Sequence, residues 1–155
     1  MIVFLDSGII GLLSSPNDRE LAVNCQSWLY RLLSRSVYVV SSDICDYEVR
    51  RGLELALHKN PHVSGLSRLD GLAQIIDFLP TERVVLQRAA KIWAQARITG
   101  QGTAGDRELD ADIIIAAHWL ILTEKYPGQA VTIATTNVKH LSRFTIARSW
   151  EEIGF

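Results

Sequence analysis

The sequence predicts an α/β protein, a three-layer α/β/α sandwich around a central, mainly parallel sheet. Two observations support this: short apolar or β-branched runs alternate with longer segments of helical periodicity, and strands separated by helices normally pair in parallel. No repeat or linker divides the chain. We therefore expect one domain over residues 1–155, long enough to bury its own core.

The elements of the first half follow from residue type and spacing. Ile2–Leu5 is a continuous apolar run, typical of a strand buried on both faces, and Glu20–Leu33 carries apolar residues at helical intervals. Ser36–Val40 is β-branched and aromatic, which favours a second strand. Residues 41–43 offer N-caps for a helix that runs to about His58 and ends at the Asn-Pro pair that follows.

Four segments continue the alternation. A helix is predicted over Val63–Asp77, and another after Pro80-Thr81. The glycine-rich stretch Gly100–Gly105 is predicted to be a loop. Leu109–Leu122 is apolar nearly all round, which indicates a buried central helix.

The last part of the chain completes the predicted sheet. Ala130–Thr135 is a third strand of the buried type, followed by a short helix over Val138–Arg143 and a last strand over Thr145–Arg148. Sites in such folds lie outside the carboxyl ends of the strands. Polar residues at those ends are therefore candidates for function.

Six polar residues lie directly after these strands, in the helix that follows one of them, or at the start of the central helix. They are, in chain order, Asp6, Ser7, Glu48, Asp110, Asp112 and Asn137. Clustered carboxylates repel one another, and a bound divalent cation removes that conflict. Carboxylate and amide oxygens are ligands that Mg²⁺ and Mn²⁺ prefer, whereas the four histidines are scattered and predict no zinc site. Such a metal site is suited to phosphodiester hydrolysis.

Each of these residues also has a structural interpretation. Asp6 could cap a helix after the first strand, and Glu48 could be a solvated helical residue. One of Asp110 and Asp112 could be an N-cap while the other binds metal. Asn137 could be a turn residue.

Composition leaves the function open. The net charge of −1 argues neither for nor against nucleic-acid binding, and Arg50 or Arg51 beside Glu48 could meet a phosphate. No apolar run approaches the roughly 20 residues that span a bilayer, and the N-terminus does not resemble a signal peptide. We expect a cytoplasmic protein in which Cys25 and Cys45 are core thiols.

Three segments and one acid resemble PIN domains. Val3-Phe-Leu-Asp6-Ser7 resembles the opening strand of that family, and Ala111-Asp112-Ile-Ile-Ile-Ala-Ala117 resembles its central helix. Ile133-Ala-Thr-Thr-Asn137 resembles its late strand and turn, and Glu48 lies where the family places its second acid. The order covers essentially the whole chain, and the size matches VapC-like toxins.

The resemblance implies a ligand set of Asp6, Glu48, Asp112 and Asn137 for Mg²⁺ or Mn²⁺. Ser7 would position a ligand or water, and Asp110 would be a second-sphere or alternative ligand. The family often has an Asp shortly after the Asn, where this chain has His140. That departure makes a one-metal site possible.

The resemblance also implies an endoribonuclease that acts on RNA, forms a homodimer and is blocked by a cognate antitoxin. The exposed parts of the Leu21–Leu33 and Ile44–Leu57 helices would contact the antitoxin. A phosphatase of the haloacid-dehalogenase type is disfavoured because Gly8 occupies the place of its second Asp. A receiver domain is disfavoured because no fitting acceptor Asp or late Lys is present. A catalytically inactive PIN-like scaffold that binds RNA or protein stays open as the alternative.

Overall fold

The structure is a computed structural model that describes residues 1–14, 19–100 and 109–154, with the side chains of residues 109 and 110 left aside. Its elements alternate between strands and helices along the chain. They are β1 (Ile2–Leu5), α1 (Ser7–Ser14), α2 (Arg19–Ser34), β2 (Tyr38–Ser42), α3 (Asp43–Lys59), α4 (Gly65–Leu72), β3 (Asp77–Leu79), α5 (Arg83–Ile98), α6 (Leu109–Lys125), β4 (Val131–Thr135), α7 (Val138–Leu141), β5 (Ala147–Ser149) and a 3₁₀ turn (Trp150–Glu152).

The five strands form one sheet in the order β3-β2-β1-β4-β5, and every neighbouring pair is parallel. The predicted three-layer sandwich with a mainly parallel sheet is confirmed. The central strand is β1, where Leu5 lies opposite Ala134 of β4. Because the strands are parallel, the residues that follow β1 and β4, Asp6 and Thr136 onward, emerge at the same edge of the sheet.

The core is built on both faces of β1, all four of whose residues are buried. The Phe4 ring lies 6.1 Å from the ring of His118 on α6, which ties β1 to the central helix. The Ser41 hydroxyl donates a hydrogen bond of 2.8 Å to the Leu5 carbonyl oxygen. A second small apolar cluster joins α5 to α6 around Val85 and Ile113.

One predicted helix is wrong. The helix predicted over Val63–Asp77 is only the eight residues of α4, and Asp77–Leu79 is instead the edge strand β3. Its three residues are too few to show a period, and their pairing with β2 is a long-range contact. The Tyr38 hydroxyl reinforces that pairing with a hydrogen bond of 2.8 Å to Asp77.

Other boundaries differ by a few residues. The second strand begins at Tyr38 and continues through Ser42, because its last residues pair with β3. Helix α1 begins directly after Asp6 and was anticipated only by the capping interpretation of that residue. The predicted loop Gly100–Gly105 lies outside the described residues except for Gly100. None of the described helices is long and apolar enough to cross a membrane.

Candidate metal centre

Asp6 joins the central strand to the first helix. Only 7% of the residue is exposed. Its Oδ1 accepts a hydrogen bond of 2.9 Å from the Ile9 amide, so the capping interpretation holds for that oxygen. Its Oδ2 accepts a hydrogen bond from the Thr135 hydroxyl at the end of β4. Strand pairing therefore fixes the orientation of the carboxylate.

Burial raises the pKa of Asp6 from 3.8 to about 6. The hydrogen bonds from Thr135 and Ile9 act in the opposite direction, and the charge of Asp112 raises the pKa further. Asp112 is more than a hundred residues away in sequence. The fold therefore brings the two acids close enough for their charges to interact.

Glu48 projects from α3 toward the residue that follows Asp6. The Ser7 hydroxyl donates a hydrogen bond of 2.6 Å to Glu48 Oε1, and the Glu48 side chain is about one-quarter exposed. An Arg51 nitrogen lies 3.8 Å from Glu48 Oε2. Arg50 is instead held by Asp46 and Asp70. Of the two arginines predicted to meet a phosphate, Arg51 is the one beside Glu48.

Asp112 lies in the first turn of α6 and completes the group of acids. Burial raises its pKa, and the charge of Glu48 raises it further, whereas His140 and Arg143 lower it. The distance from His140 Nδ1 to Asp112 Oδ2 is 3.7 Å. Asp112 is thus coupled electrostatically to both Asp6 and Glu48.

Asn137 lies just past β4 as the N-cap residue of α7. Its backbone amide donates a hydrogen bond of 2.9 Å to Thr135 Oγ1, so one hydroxyl links Asn137 to Asp6. The Asn137 side chain is exposed and makes no hydrogen bond to another described residue. The turn interpretation therefore describes its backbone, while its amide oxygen stays available to a ligand.

Close packing of the first turn of α1 against the turn after β4 also shapes this edge. A Cβ added to Gly8 would collide with Thr136 Oγ1 and stand 3.3 Å from Asp6 Oδ1. A side chain at position 8 would therefore force the Thr136 side chain, or the turn that carries Asn137, to shift. This explains a small residue directly after Asp6-Ser7.

The donor atoms suit a hydrated hard cation. Within residues 1–14, 19–100 and 111–154, no three His, Cys, Asp or Glu side chains are grouped closely enough to hold a metal by themselves. Mg²⁺ commonly keeps several waters and takes only one or two protein carboxylates. Asp6, Glu48, Asp112 and the exposed Asn137 amide could hold such an ion if some of them bind it through its waters.

Two neighbours of the predicted ligands were not predicted to act as they do. Thr135 belongs to the segment that resembles the late strand of PIN domains, and its position two residues before Asn137 is the signal that could identify it. His140 departs from the family pattern, and its three-residue spacing from Asn137 indicates a shared side of a helical turn. The Asp110 side chain lies outside the description, so the choice between Asp110 and Asp112 stays a prediction.

The fold is shared with three solved structures. VapBC2 from Rickettsia felis, bound to a DNA fragment from its promoter, aligns with a TM-score of 0.67 at 19% identity over 97% of this chain and 99% of that chain. VapBC-1 from nontypeable Haemophilus influenzae aligns with a TM-score of 0.66 at 21% identity, over 98% of this chain and 100% of that chain. FitAcB from Neisseria gonorrhoeae aligns with a TM-score of 0.63 at 23% identity, over 97% of this chain and 99% of that chain.

Sequence comparison adds nothing to this likeness, since no family model and no curated protein matches the chain. At these identities the likeness shows the fold alone. It confirms the PIN-like fold that the sequence resemblance predicted.

Proposed function

We propose that this chain, which has a VapC-like PIN fold, is an Mg²⁺- or Mn²⁺-dependent endoribonuclease and the toxin of a toxin–antitoxin pair. One observation carries the proposal. The Ser7 hydroxyl, directly after Asp6, donates a hydrogen bond of 2.6 Å to Glu48 Oε1, and the charge of Asp112 raises the pKa of Asp6 while the charge of Glu48 raises the pKa of Asp112, which supports a site shared by acids from three elements. Such an arrangement is costly unless a cation binds there.

Asp6, Glu48 and Asp112 would hold the metal, with the Asn137 amide oxygen or a water completing its ligands. When bound, the metal would activate a water and stabilise the leaving oxygen of a phosphodiester. The protein orients its own groups before any substrate arrives: Thr135 and Ile9 hold Asp6, and Ser7 holds Glu48. Such preorganisation lowers the cost of reaching the reactive geometry.

Arg51 would bind a substrate phosphate. Its side chain is 62% exposed beside Glu48, and it lies over the Tyr47 ring. Arg50 already makes hydrogen bonds to two aspartates, which engages its guanidinium. RNA backbone contacts of this kind position a substrate and do not read its sequence.

The solved relatives support a partner protein, because their names describe VapBC and FitAcB assemblies. We propose a cognate antitoxin and a homodimer for this chain. Exposed apolar side chains lie on both helices predicted to meet the antitoxin. They are Val23 and Tyr30 on α2, and Tyr47 and Leu55 on α3. A cytoplasmic location stays a prediction of the sequence.

A catalytically inactive scaffold is the second candidate. It is favoured by the lack of a ready three-residue metal group among the described side chains. In that case the acids would only shape a surface for RNA or protein. Metal-dependent cleavage separates the two candidates.

The decisive experiment incubates purified protein with a mixed cellular RNA pool in Mn²⁺, in Mg²⁺ and in EDTA. Cleavage should require metal and should be lost in Asp6→Asn. Asp43→Asn is the matched control, because Asp43 is an exposed aspartate in the first turn of α3. Cleavage that survives EDTA, or Asp6→Asn as active as Asp43→Asn, would contradict the proposal.

A further inference from the structure

His140 lies beside Asp112, one of the proposed metal ligands. We propose that His140 Nδ1 and Asp112 Oδ2 bind the same ion directly, so that the site prefers divalent transition metals such as Mn²⁺ to Mg²⁺. This inference rests on the proposed function and deepens it by naming a nitrogen ligand. It also decides between the two metals that the sequence left open.

The separation of the two atoms suits shared ligands. At 3.7 Å they are too far apart for a direct hydrogen bond, which spans roughly 2.7–3.2 Å. Two ligands each about 2.1 Å from one ion lie about 3.0 Å apart at a right angle and about 4.2 Å apart when opposite. The observed distance falls between these limits, so one ion can reach both atoms.

Local structure holds His140 in this place. The backbone amide of His140 donates a hydrogen bond of 3.3 Å to the Asn137 carbonyl oxygen, closing the first turn of α7. Residues three apart share a side of a helical turn, so the side chains of Asn137 and His140 are directed to the same region. His140 Nδ1 lies 3.7 Å from Asp112 Oδ2.

The imidazole changes the chemistry of the site. It is 56% exposed, so it can turn toward an ion without breaking a buried contact. Imidazole nitrogen suits transition metals, whereas sites made only of carboxylate, carbonyl and water suit Mg²⁺ and Mn²⁺ alike, so a nitrogen ligand would favour Mn²⁺, the transition-metal ion of the two. The Asp that PIN domains often have near this position would supply an oxygen ligand, which would not distinguish Mn²⁺ from Mg²⁺.

Electron spin-echo spectroscopy of the Mn²⁺ complex tests the nitrogen ligand directly, without any assay of activity. Echo modulation from a coordinated ¹⁴N nucleus should be present in the unchanged protein and absent in His140→Ala. His62→Ala is the matched control, because His62 is an exposed histidine in the turn after α3, and it should retain the modulation. Selective ¹⁵N-histidine labelling should change the modulation pattern.

Calorimetric titration with Mn²⁺ and Mg²⁺ gives a second readout. The ratio of Mn²⁺ affinity to Mg²⁺ affinity should fall at least about tenfold in His140→Ala. Removing a residue that only hydrogen-bonds to a metal ligand already costs about 10–100-fold in metal affinity, so removing a ligand should cost at least the lower value. His140→Asp should recover Mg²⁺ binding while showing no nitrogen modulation. The melting temperature of both variants in EDTA should match that of His62→Ala.

The outcomes separate this inference from the proposed function. Mn²⁺ that binds with no nitrogen modulation, or modulation that survives His140→Ala, overturns the histidine ligand while RNA cleavage can still support the nuclease. A protein that binds no Mn²⁺ at millimolar concentration overturns both. Loss of modulation in His140→Ala alone establishes the inference.

Discussion

The Thr135 hydroxyl donates a hydrogen bond to the Asp6 carboxylate across 129 positions of sequence, and it accepts another from the Asn137 amide. One side chain therefore connects the ends of β1 and β4 and two of the predicted metal ligands. Parallel pairing brings Leu5 opposite Ala134, which places the next residue of each strand side by side. The orientation of Asp6 is thus a property of the sheet.

Thr135→Val should weaken metal binding about 10–100-fold, as expected when a partner of a ligand is removed. The substitution keeps the shape and removes the hydroxyl, which also raises the pKa of Asp6 further because that hydrogen bond lowers it. Mn²⁺ affinity measured by calorimetry checks the prediction. Thr135→Ser, which keeps the hydroxyl, is the control; equal affinities in the two variants would refute the role of this bond.

The metal-free protein should lose stability as pH rises from about 4 to about 6. The pKa of Asp6 is raised from 3.8 to about 6, so between these values the folded state holds a proton that the unfolded state has released. Stability then falls with rising pH, by about 3 kcal/mol at roughly 1.4 kcal/mol per unit of pKa shift. Asp112 acts in the same direction, since its pKa is also raised.

Urea unfolding in EDTA across this pH range measures the effect. Asp6→Asn should flatten the dependence and should be more stable than the unchanged protein above pH 6. A profile that is the same in both proteins would show that Asp6 does not carry the proton.

Mg²⁺ or Mn²⁺ should raise the melting temperature near pH 7 because bound cation relieves repulsion among the carboxylates. At a concentration of 100 times Kd the gain is about 2.7 kcal/mol, or roughly 5–10 °C for a domain of this size. The shift should shrink in Asp6→Asn and Asp112→Asn but not in Asp43→Asn. Melting curves that do not respond to millimolar metal would count against the site.

Asp112→Asn should reduce RNA cleavage far more than Asp110→Asn. Asp112 is coupled to Glu48 and faces His140, so its loss removes a ligand, whereas Asp110 is predicted to be a neighbour. Initial cleavage rates of the two variants at equal metal concentration give the comparison. The reverse order would make Asp110 the ligand.

Gly8→Ala should cost activity and about 1–3 kcal/mol of stability, the usual cost of overpacking. The added methyl group collides with Thr136 Oγ1. Combining it with Thr136→Ala should restore most of both losses. Gly52→Ala in α3 is the control, since its added methyl group meets no atom within 4 Å and should stabilise the helix slightly.

Denaturant unfolding and cleavage assays on the single and double variants form a double-mutant cycle. If the losses of Gly8→Ala persist unchanged in the double variant, the collision with Thr136 is not their cause.

Most of the strands and helices could be predicted from local residue patterns. Ile2–Leu5 reads as a buried strand because each of its residues is apolar, and the Asp that ends the run marks the site edge. The 17 residues of α6 are long enough for their character to be recognised from composition. By contrast, Asp77–Leu79 is a strand only because β2 lies beside it, and three residues hold no periodic signal.

The sequence by itself determined most of the strands and helices and the position of Asp6 at the end of the first strand, because burial and periodicity are properties of neighbouring residues. Only the tertiary structure decided that Thr135 orients Asp6, that Arg50 is engaged while Arg51 stays beside Glu48, and that His140 faces Asp112. These contacts join residues brought together by strand pairing and helix packing. Contacts between residues so far apart in sequence cannot be recognised from local residue patterns.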